Sequence, residues 1–187
     1  MSNIEDIGAH LAGRIAAARA ARKWSLADVA ERSGVSRAML SKVERMEASP
    51  TATVLMRIAS ALDMTLAELL TPAAGGDARV RRRADQPVWT DPATGYRRRQ
   101  VCLSPALPLE LAEVELPAGA EVAAPAASYL LIRQVLWVIE GRVVIIEGEG
   151  RTALGPGDRL EFGPPSDCVF RNEGDAPCRY LVAVVRR

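Results

Sequence analysis

The chain has 187 residues, 49% hydrophobic and 25% charged, which argues against both wholesale disorder and a fibrous repeat, and at this length two modest cores fit better than one large one. The formal net charge of +1 hides an asymmetry, since residues 72–100 carry 7 Arg against 3 Asp while residues 101–187 carry 8 Arg against 12 acidic residues, so only the front of the molecule is expected to face phosphates. With no apolar run of about 18 residues, no basic-then-apolar leader in MSNIEDIGAH, and three cysteines (Cys102, Cys168, Cys178) without CxxC spacing, the expectation is a cytoplasmic protein with reduced thiols and no membrane partner.

Residues 7–70 read as a string of short helices. Leu11, Ile15 and Ala18 have the spacing of one buried helical face. Ser25-Leu-Ala-Asp28 and Thr65-Leu-Ala-Glu68 have the form of a capping box, so each marks a fresh helix start. Gly34 falls where the second helix must end, and Ser36 is placed to cap the next after a short turn. Two helices joined by a Gly-containing turn are the geometry of a DNA reader. Val29, Val35, Leu40 and Val43 supply contacts that lock their angle, and Ala30 is small at the crossing.

These features carry a resemblance. Arg19, the Ser25-Leu-Ala-Asp-Val-Ala start, Gly34-Val-Ser36, Leu40-Ser-Lys-Val-Glu44-Arg, Pro50-Thr51 and the run Leu55–Leu62 together resemble the phage-repressor-like, XRE-type helix-turn-helix family over about residues 7–71. The resemblance implies five helices, with the recognition helix over residues 36–45 in the major groove, the groove whose base edges are unambiguous. It assigns Arg37, Ala38, Ser41 and Lys42 to base edges, with Arg37 and Lys42 donating to guanine and Ala38 meeting a thymine methyl. Ser25 and Arg45 are expected to position the helix on phosphates, and Ser36, where the recognition helix begins, belongs to the same DNA-binding set. The alternative for Arg37, Ala38, Ser41 and Lys42 is phosphate neutralisation without base reading. The resemblance also implies that Arg19 and Glu44 pair between the first and third helices. Basic residues are few in this segment, which favours a dimer on a palindromic operator.

Thr71-Pro72-Ala-Ala-Gly75-Gly76 breaks the helical pattern, and residues 72–87 are expected to be a linker. From Val88 to residue 187 the texture becomes β-rich, with runs at Leu111–Leu116, Gln134–Ile139, Arg142–Ile146 and Arg179–Val185 between Gly and Pro turns. Leu116-Pro-Ala-Gly119, Gln134-Val-Leu-Trp-Val-Ile-Glu-Gly141, Leu154-Gly-Pro-Gly-Asp158 and Cys168-Val-Phe-Arg-Asn172 occur in the order that resembles a cupin, a double-stranded β-helix or jelly roll. The fold class expected is therefore multidomain: an all-α five-helix unit, then an all-β cupin domain.

Metal-binding cupins use three histidines and a glutamate. Here Gln134 stands at the glutamate position and Cys168 at the last histidine position; Pro125–Tyr129 offers no imidazole, and the single histidine, His10, lies in the first helix. No metal and no cofactor are therefore expected. The resemblance points Gln134, Leu136, Val138, Cys168 and Phe170 into the barrel, where they would line a pocket for a small-molecule effector. A barrel filled by its own side chains and used for dimerisation is the competing reading, and Trp137, of opposite parity, suits an interface. The function expected is a dimeric, ligand-responsive DNA-binding regulator and not an enzyme; the alternative is a metal-free, isomerase-like cupin enzyme with an accessory N-terminal module.

Overall fold

The computed structural model describes residues 3–71, 80–103 and 108–186, with side chains described from residue 8 onward. Five helices come first: α1 (Asn3–Ala21), α2 (Leu26–Ser33), α3 (Arg37–Glu44), α4 (Ala52–Ala61) and α5 (Leu66–Leu70). Both capping boxes form: the Ser25 and Thr65 hydroxyls accept from the amides of Asp28 (3.2 Å) and Glu68 (3.1 Å), and those carboxylates accept from the cap amides in return. Gly34 ends α2 at φ 66°, a left-handed turn that glycine adopts without steric cost. Leu11, Ile15, Val29, Leu40, Val43, Leu55, Ile58 and Leu62 meet in one core, each buried side chain stabilising the domain by about 1.5–3 kcal/mol.

Ten strands follow among the described residues: β1 (Val88–Thr90), β2 (Arg97–Leu103), β3 (Leu109–Leu116), β4 (Glu121–Ala124), β5 (Ile132–Glu140), β6 (Val143–Glu147), β7 (Gly150–Leu154), β8 (Arg159–Glu161), β9 (Cys168–Arg171) and β10 (Cys178–Arg186). They form two antiparallel sheets ordered β1-β2-β3-β10-β5-β8 and β4-β9-β6-β7, the jelly-roll arrangement expected of a cupin. Alternation is plain in β10, where Cys178, Tyr180, Val182 and Val184 face the core. Gly141 turns β5 into β6 at φ 74°; a Cβ there would stand 2.8 Å from the Pro177 carbonyl oxygen.

The expected linker falls partly outside the described residues, at 72–79. Its last part, 80–87, is fixed onto the barrel by Arg83, whose guanidinium pairs with Glu113 at 3.0 Å and whose carbonyl accepts from Arg99 at 3.1 Å. The basic middle of the chain is correspondingly not one phosphate-facing patch. Arg97, Arg98 and Arg99 lie in β2, Arg98 is buried at 8% exposure, and Arg99 pairs with Glu113 at 3.7 Å.

The two domains pack directly. α4 lies across one end of the barrel, with Ala52 inside the barrel's own core cluster and Trp89 touching both cores. Thr53 Oγ1 donates to the Ala123 carbonyl (2.8 Å), the Ser60 and Ser128 hydroxyls bond at 2.9 Å, and Arg186 pairs with Glu68 at 3.0 Å. Asp91, 2% exposed, accepts from the first amide of α4, Ala52 N, at 2.6 Å. A barrel carboxylate thus stabilises the positive end of a helix in the other domain.

Candidate DNA interface and barrel pocket

α3 is amphipathic across its width. Leu40 and Val43 are 0% and 2% exposed, whereas Arg37, Ala38 and Lys42 point to solvent and Ser41 is half-buried beside them. The exposed face therefore carries two cations, a methyl and a hydroxyl on two successive turns. Behind it, Arg19 Nε and Nη2 each donate at 2.8 Å to a separate carboxylate oxygen of Glu44, fixing α3 to α1 with the paired geometry an arginine fork allows. That bond holds the Arg19 guanidinium above its ordinary pKa.

Ser25, Ser36 and Arg45 have other partners here. Ser36 Oγ accepts from Met39 N at 3.2 Å, serving as the α3 cap. Ser25 Oγ donates to Asp28 Oδ2 at 2.7 Å within its capping box, a bond that also lowers the Asp28 carboxyl pKa. Arg45 pairs with Glu47 through two 2.8 Å bonds. Both members of that pair are exposed, so exchanging Glu47 for a phosphate costs little.

In the barrel, Gln134 and Phe170 line a cavity of about 80 Å³, whereas Leu136, Val138 and Cys168 face inward but are packed in the core away from its wall. The cavity is open toward the helical domain, because Met56, Ser60 and Thr65 form part of its lining. Its polar members include Arg98, Glu110, Tyr129 and Gln134. Glu110 Oε1 accepts from Thr65 Oγ1 at 2.7 Å, and burial raises the Glu110 carboxyl pKa. Sequence reasoning missed Arg98, Glu110 and the α4 residues. The signal for Arg98 was strand parity with Gln100, also buried, obscured by two flanking arginines.

The positions where a cupin would place metal ligands do not suit a metal. Burial raises the Cys168 thiol pKa, its Sγ donates to the Ser166 carbonyl, and it lies beside the Tyr129 phenol, itself raised by burial and next to the neutral Gln134 amide. No cluster of three or more His, Cys, Asp or Glu side chains able to hold a metal lies among the described residues.

Comparison with known proteins accords with the geometry of the helical domain, as residues 15–69 match the profile of the helix-turn-helix family HTH_3. Those residues are a helix-turn-helix domain of that family. Over 173 residues that take in both domains, the chain is 28% identical to the HTH-type transcriptional regulator SutR of Escherichia coli (strain K12), with 92% of each protein covered. The crystal structure of an HTH_3 family transcriptional regulator from Vibrio cholerae matches with a TM-score of 0.79 over 98% of both chains at 20% identity, a likeness of fold that spans helix-turn-helix domain and barrel together. Among the described residues no helix is long and apolar enough to cross a membrane.

Proposed function

We propose that this protein is a dimeric, ligand-responsive transcriptional regulator of the cytoplasm, in which residues 7–71 read an operator, residues 72–87 link, and residues 88–187 sense and dimerise. The observation that carries this reading is the solvent-facing side of α3. Its back is locked by Leu40, Val43 and the Arg19–Glu44 pair, while Arg37, Ala38 and Lys42 are left uncovered by the barrel. A rigid helix presenting donors on its first two turns suits the donor and acceptor pattern of the major groove.

Dimerisation rests on the outer face of the six-stranded sheet. There Leu109, Trp137 and Val185 are 36%, 48% and 43% exposed, and Trp137 is pinned by a 3.1 Å bond from Nε1 to the Gly157 carbonyl. Two such faces joined about a two-fold axis would also pair two reading heads. The relation to regulators over nearly the full chain favours binding over catalysis.

A gel shift with the DNA upstream of the protein's own gene tests the reading. A discrete shift that resists nonspecific competitor and weakens with Arg37→Ala is expected. Binding equal on every sequence would overturn it.

A further inference from the structure

The cavity at the junction of the two domains is lined by α4 and the α4–α5 turn on one side and by inward-facing barrel residues on the other. Its buried polar groups are unevenly satisfied. Arg98 Nε and Gln134 Nε2, on side chains each 8% exposed, are donors with no partner in good hydrogen-bond geometry, although the Gln134 amide lies close enough to the Tyr129 hydroxyl to offset part of the rise that burial gives its pKa. Buried donors left open are uncommon, and a buried guanidinium is costly without an anion. The Glu110 carboxylate on the same wall attracts Arg98 but takes its hydrogen bond from Thr65, so Arg98 Nε stays unbonded.

We propose that this chamber binds a compact monocarboxylate, held at its charged end by Arg98 and Gln134, and that α4 of the helix-turn-helix domain is the lid over it. This deepens the effector reading above and rests on it. The volume of about 80 Å³ has room for roughly five to eight heavy atoms. Val122, Phe170 and Val182 line the remainder and suit a short apolar tail. With Glu110 already on the wall, a dicarboxylate would set three carboxylates against the Arg98 guanidinium, which disfavours dicarboxylates. The start of the lid is clasped by Asp91 at Ala52 N, and beyond it the lid is held by single bonds that can break and remake: Ser60 to Ser128, Thr53 to the Ala123 carbonyl and Thr65 to Glu110. Because Leu55 and Ile58 of α4 sit in the same core as Leu40 and Val43 of α3, a shift of the lid carries the reading face with it. Ligand then favours one placement of the reading heads over another.

The test is thermal melting of the full chain with propionate and butyrate as probes, and propionamide, butylamine and succinate as controls. At tenfold saturation the two monocarboxylates are expected to raise Tm by about 3 °C or more, with no shift from the controls. The shift is lost in Arg98→Met and, independently, in Met56→Trp, which fills the chamber from the α4 side and keeps the Arg98 side chain. A double variant, Ser60→Cys with Ser128→Cys, oxidised to tie the lid shut, is expected to slow ligand exchange at least tenfold, reversed by reductant. An equal shift from propionamide or butylamine overturns the ligand class and leaves the effector reading standing. A shift that survives both pocket variants, or no shift from any probe, overturns the site. Unchanged exchange in the tied protein overturns the lid. Monocarboxylate binding that leaves operator affinity unchanged supports the site and overturns the effector reading instead.

Discussion

Replacing Asp91 by alanine is expected to loosen the joint between the domains before either core melts. The carboxylate is 2% exposed and accepts three amides, Ala52 N at 2.6 Å, Ala93 N at 2.7 Å and Thr94 N at 3.3 Å. Each good hydrogen bond to a charged acceptor contributes about 1.5–3 kcal/mol, and removing the acceptor orphans the donors, so two strong bonds and one weak one give a gross loss of about 5 kcal/mol. Relief from burying the charge offsets part of this, leaving about 3 kcal/mol net. At this chain length that corresponds to a fall in Tm of about 6–12 °C. Because one orphaned amide begins α4, the loss falls on the joint, and calorimetry is expected to resolve two transitions. Asp91→Asn, which keeps one acceptor oxygen, should fall between. A single transition within about 1 °C of the parent would refute the assignment of Asp91 as the clasp between domains.

Other outcomes are equally specific. Arg19→Met leaves Glu44 half-buried without its fork and should cost about 1–3 kcal/mol by chemical denaturation, with operator binding weakened because α3 loses its anchor. Glu110 has its folded pKa raised above the unfolded value by burial, so its contribution is fully present below the unfolded pKa and is lost as pH rises through the folded one. Glu110→Gln should therefore flatten the fall in Tm with pH above about 4.5, the ordinary carboxyl value, and melt higher than the parent at neutral pH. The Cys178 thiol is fully buried and pushed up to about 12, so thiol reagents at pH 8 should label half-buried Cys102 first and Cys178 only on unfolding.

Much of the helical domain was legible because its punctuation is local. Each capping box lies within four consecutive residues, and the left-handed turn needs only Gly34. The barrel was legible as a class, through alternation in runs such as Arg179–Val185 and glycine at turns such as Gly141. The joint between domains was not, because its partners are far apart in sequence: Asp91 meets Ala52 across 39 residues and Ser60 meets Ser128 across 68. Nothing near Asp91 distinguishes it from an ordinary turn aspartate. The pocket was half legible for the same reason. The cupin resemblance pointed Gln134, Leu136, Val138, Cys168 and Phe170 inward, but which of them meet open space depends on where α4 sits, and that leaves only Gln134 and Phe170 of these five on the wall. Arg97-Arg98-Arg99 was read by charge alone, whereas in a strand the middle residue turns in.

The most direct measurement is fluorescence anisotropy of the full chain on labelled DNA from upstream of its own gene, against scrambled DNA of equal length, for the parent, Arg37→Ala and Lys42→Ala. Each variant is expected to lose about fivefold or more in affinity for the upstream DNA, the lower end of what one base contact contributes, while weak binding to scrambled DNA changes less. Undiminished binding of both variants, or equal losses on both DNAs, would contradict base reading by α3.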